Sequence, residues 1–532
     1  MAVCRSPGLT GEERPIAFWD LLRPRLDCQN AGMLTRGDAQ PCLRLFAAGP
    51  VGGIAAAAAT LLIALSGRYG FHRDELYFLL AGQHPAWGYP DQPPLTPLLA
   101  RLGAELFGST PTGVRILPAL LTAVTITLTA LVARELGAGQ GGQVLAAGAA
   151  ACSGYTLGIG HLLSTATFDL TVWLAIILLT LRLLRTGEFR WWPSLGALVG
   201  IALLNKLLVL GLLPALALGA LTAGPRGFFV PRPRALLGPL TAVLAALPFA
   251  IPTLWWQAVR GWPELTVAHA ISADVGIGGR LLALPMQLLQ FSPVLAPLWL
   301  TGLSRLSRRP ELRWARPVAV AWVVLCLLVL AGGGKGYYPI PLLYAISAAG
   351  CEPYAHWIRE HRARLAGGLL AALLTSALAA LPVLPASALT VPMAVDPDLG
   401  EEVGWPQLAR ATATGWEAIP ADRRATAVLL TANYGEAGAI ARYGPALGLP
   451  ASYSGHMGLH AWGPPSATAT GPVLLVHPAG YPELEQHFTA CHTVARVDNG
   501  HGTANQEQHA AVVLCAGPDR PWPVLWPLLR RY

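Results

Sequence analysis

Charge is scarce in this chain: 12% of the 532 residues are charged, against about a quarter in ordinary soluble domains. With 53% hydrophobic residues and a mean hydropathy of +0.47, that shortage excludes one soluble core holding all the apolar side chains. Lysine is scarcer still. Lys206 and Lys335 are the two lysines among 37 basic residues. No compact ligand pattern such as His-x-x-x-His commits the chain to a metal. The glycines near Tyr434 do not form a phosphate-binding fingerprint, and Gly435 and Gly438 read as packing residues. A clear internal repeat is lacking, which weighs against a transporter. A typical cleaved signal is lacking too, because residues 1–43 are polar and the first apolar run is longer than a signal core.

What is present is a series of apolar runs of span length, from about Leu45 to about Pro385. They predict spans at 45–66, 113–133, 144–162, 169–186, 191–204, 207–223, 235–255, 281–303, 317–333, 338–356 and 365–385. The pair around 191–223 is short. With the N-terminus inside, the inside loops hold Arg134, Arg185, Arg190, Arg226, Arg232, Arg234, Arg305, Arg308, Arg309, Arg313, Arg316, Arg359, Arg362 and Arg364. This asymmetry satisfies the positive-inside rule and accounts for the net charge of +8 without nucleic acid. The expected fold is a mostly α polytopic membrane protein with about 11 transmembrane helices and a C-terminal extracytoplasmic α/β domain. The expected divisions are a cytoplasmic leader at 1–44, a transmembrane domain at 45–390 and a soluble domain at 391–532. The protein is expected in the cell membrane, with its partner lipid bilayer around the spans.

In the C-terminal segment, Ala427–Thr431, Pro472–His477 and Ala511–Cys515 read as buried strands, and Asn433 to Tyr443 reads as a helix. Only Cys491 and Cys515 share this segment, while Cys4, Cys28 and Cys42 fall inside and Cys152, Cys326 and Cys351 lie in or beside spans. Oxidation is permitted outside, so a Cys491–Cys515 disulfide is expected.

Acidic side chains concentrate in the outer loops. The first begins Gly70-Phe-His-Arg-Asp-Glu-Leu-Tyr-Phe78. An Asp-Glu pair this close to a bilayer is costly unless hydrated or paired. Two readings stand. Asp74 and Glu75 cap a helix starting at Leu76, or one of them is a general base. The loop continues Gly88-Tyr-Pro-Asp-Gln-Pro-Pro-Leu-Thr-Pro97, a turn shaped by proline, and then an amphipathic stretch from Leu95 to Phe107 suited to the interface plane. Arg115 stands at the mouth of the second span, either snorkelling to headgroups or binding phosphate. Both lysines sit at outer ends of spans, away from the arginine-rich loops. A lysine binds phosphate as a compact point charge, which arginine does not reproduce.

These motifs together resemble the family 39 glycosyltransferases, the protein O-mannosyltransferase-like and aminoarabinose-transferase-like enzymes of the GT-C fold, bacterial type. The Arg-Asp-Glu-Leu-Tyr run, Gly-Tyr-Pro-Asp-Gln-Pro-Pro-Leu, Val114-Arg-Ile-Leu-Pro118, Ser164-Thr-Ala-Thr-Phe-Asp-Leu170 and Gly334-Lys-Gly-Tyr-Tyr-Pro-Ile-Pro341 carry the resemblance. So do Thr431-Ala-Asn-Tyr-Gly-Glu-Ala-Gly438, Tyr453-Ser-Gly-His456 and Trp462-Gly-Pro-Pro465. The resemblance implies a polyprenyl-phosphate sugar donor and a lipid, glycan or protein acceptor meeting at the outer face, with inversion at the anomeric carbon. It implies Asp74 as base, with Glu75 beside it and Asp169 as a second acid. Arg115 and Lys335 would hold the donor phosphate, joined by Lys206. Arg73, Tyr89, Asp91, Tyr337 and Tyr338 are the expected substrate-loop residues. A divalent metal ion is left open. A transporter or flippase, or a non-catalytic binder of lipid-linked saccharides, is the alternative function.

Overall fold

The computed structural model describes residues 43–225, 236–479 and 481–532. The expected leader, with Cys4, Cys28 and Cys42, lies outside the described residues, as do Arg226, Arg232 and Arg234. Among the described residues the regular elements between 48 and 380 are helices: α1 (Ala48–Leu65), α2 (Arg73–Gly82), α3 (Leu95–Phe107), α4 (Pro111–Glu135), α5 (Gln140–Cys152), α6 (Gly154–His161), α7 (Thr165–Thr186) and α8 (Trp191–Leu203), followed by α9 (Val209–Ala223), α10 (Leu237–Val259), α11 (Pro263–Phe291), α12 (Ala296–Arg308), α13 (Arg316–Gly332), α14 (Ile340–Glu360) and α15 (Arg362–Ala380). Local signals set many ends. Thr110 caps α4 ahead of Pro111, Ser164 caps α7 by accepting from the Thr167 N–H, and Gly187 closes α7 in the left-handed region at φ 64°.

Among the described residues, seven helical segments are long and apolar enough to cross a membrane: α1, α4, α7, α10, α11, Pro310–Gly332 and α15. Helices α8 and α9 are apolar but shorter. The chain is a multi-pass membrane protein. Hydropathy alone counts interrupted helices as continuous spans, and the interruptions are the main departure from expectation. The 144–162 run is split at Ser153 into α5 and α6. The 281–303 run is split at Ser292, which has φ 108° and precedes Pro293. The proline has no N–H to continue α11. Helix α11 is itself bent at Gly276. Irregular backbone at bilayer depth is tolerated where it is buried or lines a cavity. Gly154 and Ser292 do line one.

Beyond α15 come α16 (Thr390–Met393), α17 (Trp405–Glu417), α18 (Tyr434–Tyr443) and α19 (Trp522–Leu525). They pack with β1 (Val428–Thr431), β2 (Tyr453–Ser454), β3 (Val473–His477), β4 (Phe488–Thr489), β5 (His492–Arg496), β6 (Ala511–Cys515) and β7 (Gly517–Pro518). The five-stranded sheet has the order β2-β1-β3-β6-β5, and β4 pairs with β7. β1 runs parallel to β2 and β3, while β6 is antiparallel to β3 and β5. The runs read as strands from sequence are β1, β3 and β6. Their uninterrupted apolar character follows from burial on both faces: one layer includes α17 and α18, the other α19. Cys491 and Cys515 are joined by a disulfide. The GT-C-like bundle and the α/β domain are thus both present.

The bundle has its own core, around α4, α5, α7 and α14. A second core crosses the expected division at residue 390. Phe71, Leu76, Tyr77 and Phe78 pack in one cluster with Trp405, Leu408, Ala437, Ile440 and Leu474. The first long loop is folded as part of the C-terminal domain's core as much as of the bundle.

Candidate active site

The Arg-Asp-Glu run forms the first turn of α2. The cap is His72, one turn earlier than expected, and the helix starts at Arg73. The His72 Nδ1 accepts from the Asp74 N–H at 3.2 Å, and Glu75 returns the bond by accepting from the His72 N–H at 2.9 Å. That reciprocal capping box separates the two carboxylates. Glu75 points inward, whereas Asp74 faces a cavity.

Glu75 is fully buried and ion-paired with Arg115 at 2.8 Å. Arg115 is 1% exposed and also meets Glu402 at 3.1 Å. Its remaining N–H groups donate to the Ser66 and Gly70 carbonyls, and its Nη1 lies 3.1 Å from His161. Burial alone would raise Glu402, but Arg115 and His161 outweigh it and hold its carboxyl below the usual range. Glu75 also accepts from the Leu163 N–H. This network ties α2, α4, α6 and the segment before α17 together. Arg115 is spent within the protein, which corrects its expected place on a donor phosphate, and Glu75 likewise has no access to a reacting group. The physical reason is that a buried guanidinium needs carboxylates around it, and Glu402 could not be paired with Arg115 by sequence distance.

Asp74 lines a cavity of about 410 Å³ that also exposes His72, Tyr155, Ser164, Thr165, Lys206, Tyr337, Asp396 and Asp398. Leu289, Gln290, Ser292, Thr375, Ser376 and Ala380 also line it. The Asp74 Oδ1 accepts from the Tyr434 hydroxyl at 2.7 Å. The His72 Nδ1 is used as an acceptor, so its proton sits on Nε2. That nitrogen is buried and unpartnered. Asp396 is pushed up to about 7, by burial first and then by Asp398.

Lys206 belongs to the short α8–α9 turn. Its Nζ donates to the Thr165 hydroxyl at 3.3 Å and lies 6.0 Å over the Tyr338 ring. With Asp169, Tyr155, Tyr337 and Tyr338 it lines a narrow recess continuous in residues with the cavity. The turn is pinned by Asn205, whose Oδ1 accepts from Thr96 at 2.7 Å while its Nδ2 donates to Asp169 at 2.7 Å and to the Thr165 carbonyl at 2.9 Å. Glu264 accepts from the Leu207 N–H. Lys335, by contrast, is exposed in the turn after α13 and is not among the residues lining the cavity.

The remaining expected residues divide. Tyr337 reaches the cavity and Tyr338 the recess. Arg73 donates to Gln506 at 2.6 Å, pairs with Glu401 at 3.6 Å and covers the Tyr434 ring at 4.8 Å. The Tyr89 hydroxyl donates to the Ala81 and His84 carbonyls. Asp91 accepts from Tyr77 at 2.8 Å, and burial pushes it up to about 6. Arg73, Tyr89 and Asp91 therefore bond within the protein and are not among the residues lining the cavity or the recess. Sequence reasoning missed His72, Asn205, Asp396, Asp398 and Tyr434. Asn205 had a signal, a polar pair with Lys206 inside an apolar run; Asp396 and Asp398 had one in Val395-Asp-Pro-Asp398. Among the described residues no three His, Cys, Asp or Glu side chains converge as a metal-ligand set.

Residues 91–256 match the model of the dolichyl-phosphate-mannose-protein mannosyltransferase family. The chain is similar in structure to ArnT from Cupriavidus metallidurans bound to undecaprenyl phosphate. The TM-score is 0.56 at 14% identity, covering 89% of this chain and 100% of that one. The apo state of the same ArnT gives a TM-score of 0.54 at 14% identity, with the same coverage. No curated protein matches the chain in sequence. These likenesses establish the architecture, and the chain has the GT-C fold.

Proposed function

We propose that the protein is a membrane glycosyltransferase that moves a sugar from a polyprenyl-phosphate donor to an acceptor hydroxyl or amine in the cavity beside α2. The observation that carries this is that Asp74 and Lys206 line one cavity, which is also lined by residues at the breaks between α5 and α6 and between α11 and α12. A lipid tail can stay among the helices while its phosphate reaches a fixed cation. The likeness to ArnT, a protein seen bound to undecaprenyl phosphate, supports this reading.

In the reaction, the acceptor oxygen or nitrogen forms a bond to the anomeric carbon as the carbon–oxygen bond to phosphate breaks. The polyprenyl phosphate leaves with the electron pair, its charge met by the Lys206 ammonium. The acceptor's proton passes to Asp74. Asp169 holds the Lys206 turn through Asn205. The displacement inverts the anomeric centre. On this reading the cavity faces outward, and the arginine-rich loops face the cytoplasm. The C-terminal domain then stands on the outer side, where its disulfide is at home.

Purified protein given a panel of polyprenyl-phosphate sugars and candidate acceptors should release polyprenyl phosphate with at least one donor. Translocation of labelled donor in proteoliposomes without any release would instead establish the transporter reading.

A further inference from the structure

Helix α18 belongs to the soluble domain, 360 residues from the acidic motif, yet it packs directly on α2. The contact is made possible by two glycines. A Cβ on Gly438 would stand 2.8 Å from the Leu76 backbone, and one on Gly435 would stand 3.1 Å from the Arg73 Cβ. Tyr434, the first residue of α18, is thereby brought over Asp74. Its hydroxyl donates to the Asp74 Oδ1 at 2.7 Å. Among the described residues Oδ2 makes no hydrogen bond, so one carboxylate oxygen is held and the other is left for a proton.

Every side of the Tyr434 ring is fixed. His456 stacks on it with centroids 4.9 Å apart and planes 9° apart, and the His456 Nδ1 accepts from the Tyr434 N–H. Tyr77 lies 4.9 Å away, and the Arg73 guanidinium covers the ring at 4.8 Å. Burial, reinforced by Arg73 and Arg531, pushes His456 down to about 3, so the ring stack is neutral. The capping box of α18, with Asn433 accepting from the Glu436 N–H and Glu436 from the Asn433 N–H, sets the angle at which Tyr434 leaves the helix. A tyrosine held by these three side chains with its hydroxyl on a carboxylate is built to aim that carboxylate.

We propose that the C-terminal domain completes the reaction centre, with Tyr434 acting as the positioning residue that orients Asp74 through its hydroxyl. This rests on the reading of Asp74 as the base. It gives the Asn433-Tyr-Gly-Glu-Ala-Gly438 motif a role in the chemistry: the glycines bring the helix in, the cap sets its angle and the tyrosine delivers the contact.

The test is transfer kinetics on full-length wild type, Asp74→Asn, Tyr434→Phe, Gly438→Ala and the Tyr434→Phe/Gly438→Ala double variant. Tyr434→Phe keeps the ring, its stack and the packing, and removes only the hydroxyl. Its kcat should fall about 10- to 100-fold, the scale of a small misplacement of a reacting group, with donor KM within about twofold because Lys206 is untouched. Gly438→Ala lifts α18 from α2 and should lower kcat in the same way. The double variant should then be no worse than the more damaged single one, since both break one contact. Wild-type kcat in Tyr434→Phe beside an inactive Asp74→Asn would overturn the positioning role and leave the base intact. Full activity in Asp74→Asn would overturn both. Multiplying losses in the double variant would also contradict a shared route.

Discussion

Arg115 gives the sharpest distinction between two accounts of the same residue. On a phosphate its loss would weaken donor binding and leave the fold alone. In the structure it is 1% exposed, pairs with Glu75 and Glu402, and donates to two backbone carbonyls. Arg115→Met strands two buried carboxylates. Breaking a buried ion pair from one side costs about 3–5 kcal/mol, and spread over the unfolding entropy of a chain this long it lowers Tm on the order of 3–5 °C. Arg115→Lys keeps the charge but loses the planar fork, so it should fall between. Thermal unfolding in detergent micelles, followed by tryptophan fluorescence, reads the shift. Equilibrium binding of polyprenyl phosphate at low temperature, where the variant is folded, should stay near wild type. An unchanged Tm with a tenfold or larger loss of lipid-phosphate affinity would refute the latch and restore the clamp.

Three further outcomes follow from the geometry. Lys206→Met should weaken polyprenyl-phosphate binding about tenfold or more, the scale of a charge-assisted contact, while Lys335→Met should leave it within about twofold; a reversed order in a lipid-binding titration would reverse the assignment. Burial raises Asp91 from 3.8 to about 6, so the unfolded chain ionises first as pH rises. The wild type therefore loses stability between about pH 4 and pH 6, and Asp91→Asn should gain relative to it by about 3 kcal/mol above that window and little at pH 4. Melts at four pH values would contradict this if the gain were constant. The Cys491–Cys515 bond closes a loop with a sequence separation of 24, worth about 3.5 kcal/mol in chain entropy. Reduction should lower the melting of the C-terminal domain, and thiol labelling of unreduced protein at either cysteine would show the bond absent.

The sequence revealed most of the architecture, because span length, arginine placement and buried strands are local signals. The runs at β1, β3 and β6 and the helix at α18 could be read directly. Ser153 and Ser292 could not, because a break inside an apolar run leaves hydropathy unchanged. At the site, the acidic motif was visible but its division was not. Asp74 and Glu75 are neighbours in sequence, and only the turn of α2 sends one to the cavity and the other to Arg115. The partners these side chains meet, Glu402 for Arg115 and Tyr434 for Asp74, lie more than 280 residues away, beyond any pattern of spacing. Lys335 sits in a motif and Lys206 in an apolar run, so motif reading put Lys335 first, whereas it is Lys206 that lines the cavity.

The central claim is that Asp74 takes the acceptor's proton while Lys206 holds the donor phosphate. Its most direct test is single-turnover transfer by Asp74→Asn at saturating donor. The isosteric amide can accept the Tyr434 hydrogen bond but is a poor base. Polyprenyl-phosphate affinity should remain within about twofold, and the transfer rate should fall about 100- to 10,000-fold, the range for loss of a general base. A transfer rate equal to wild type in Asp74→Asn would contradict the account.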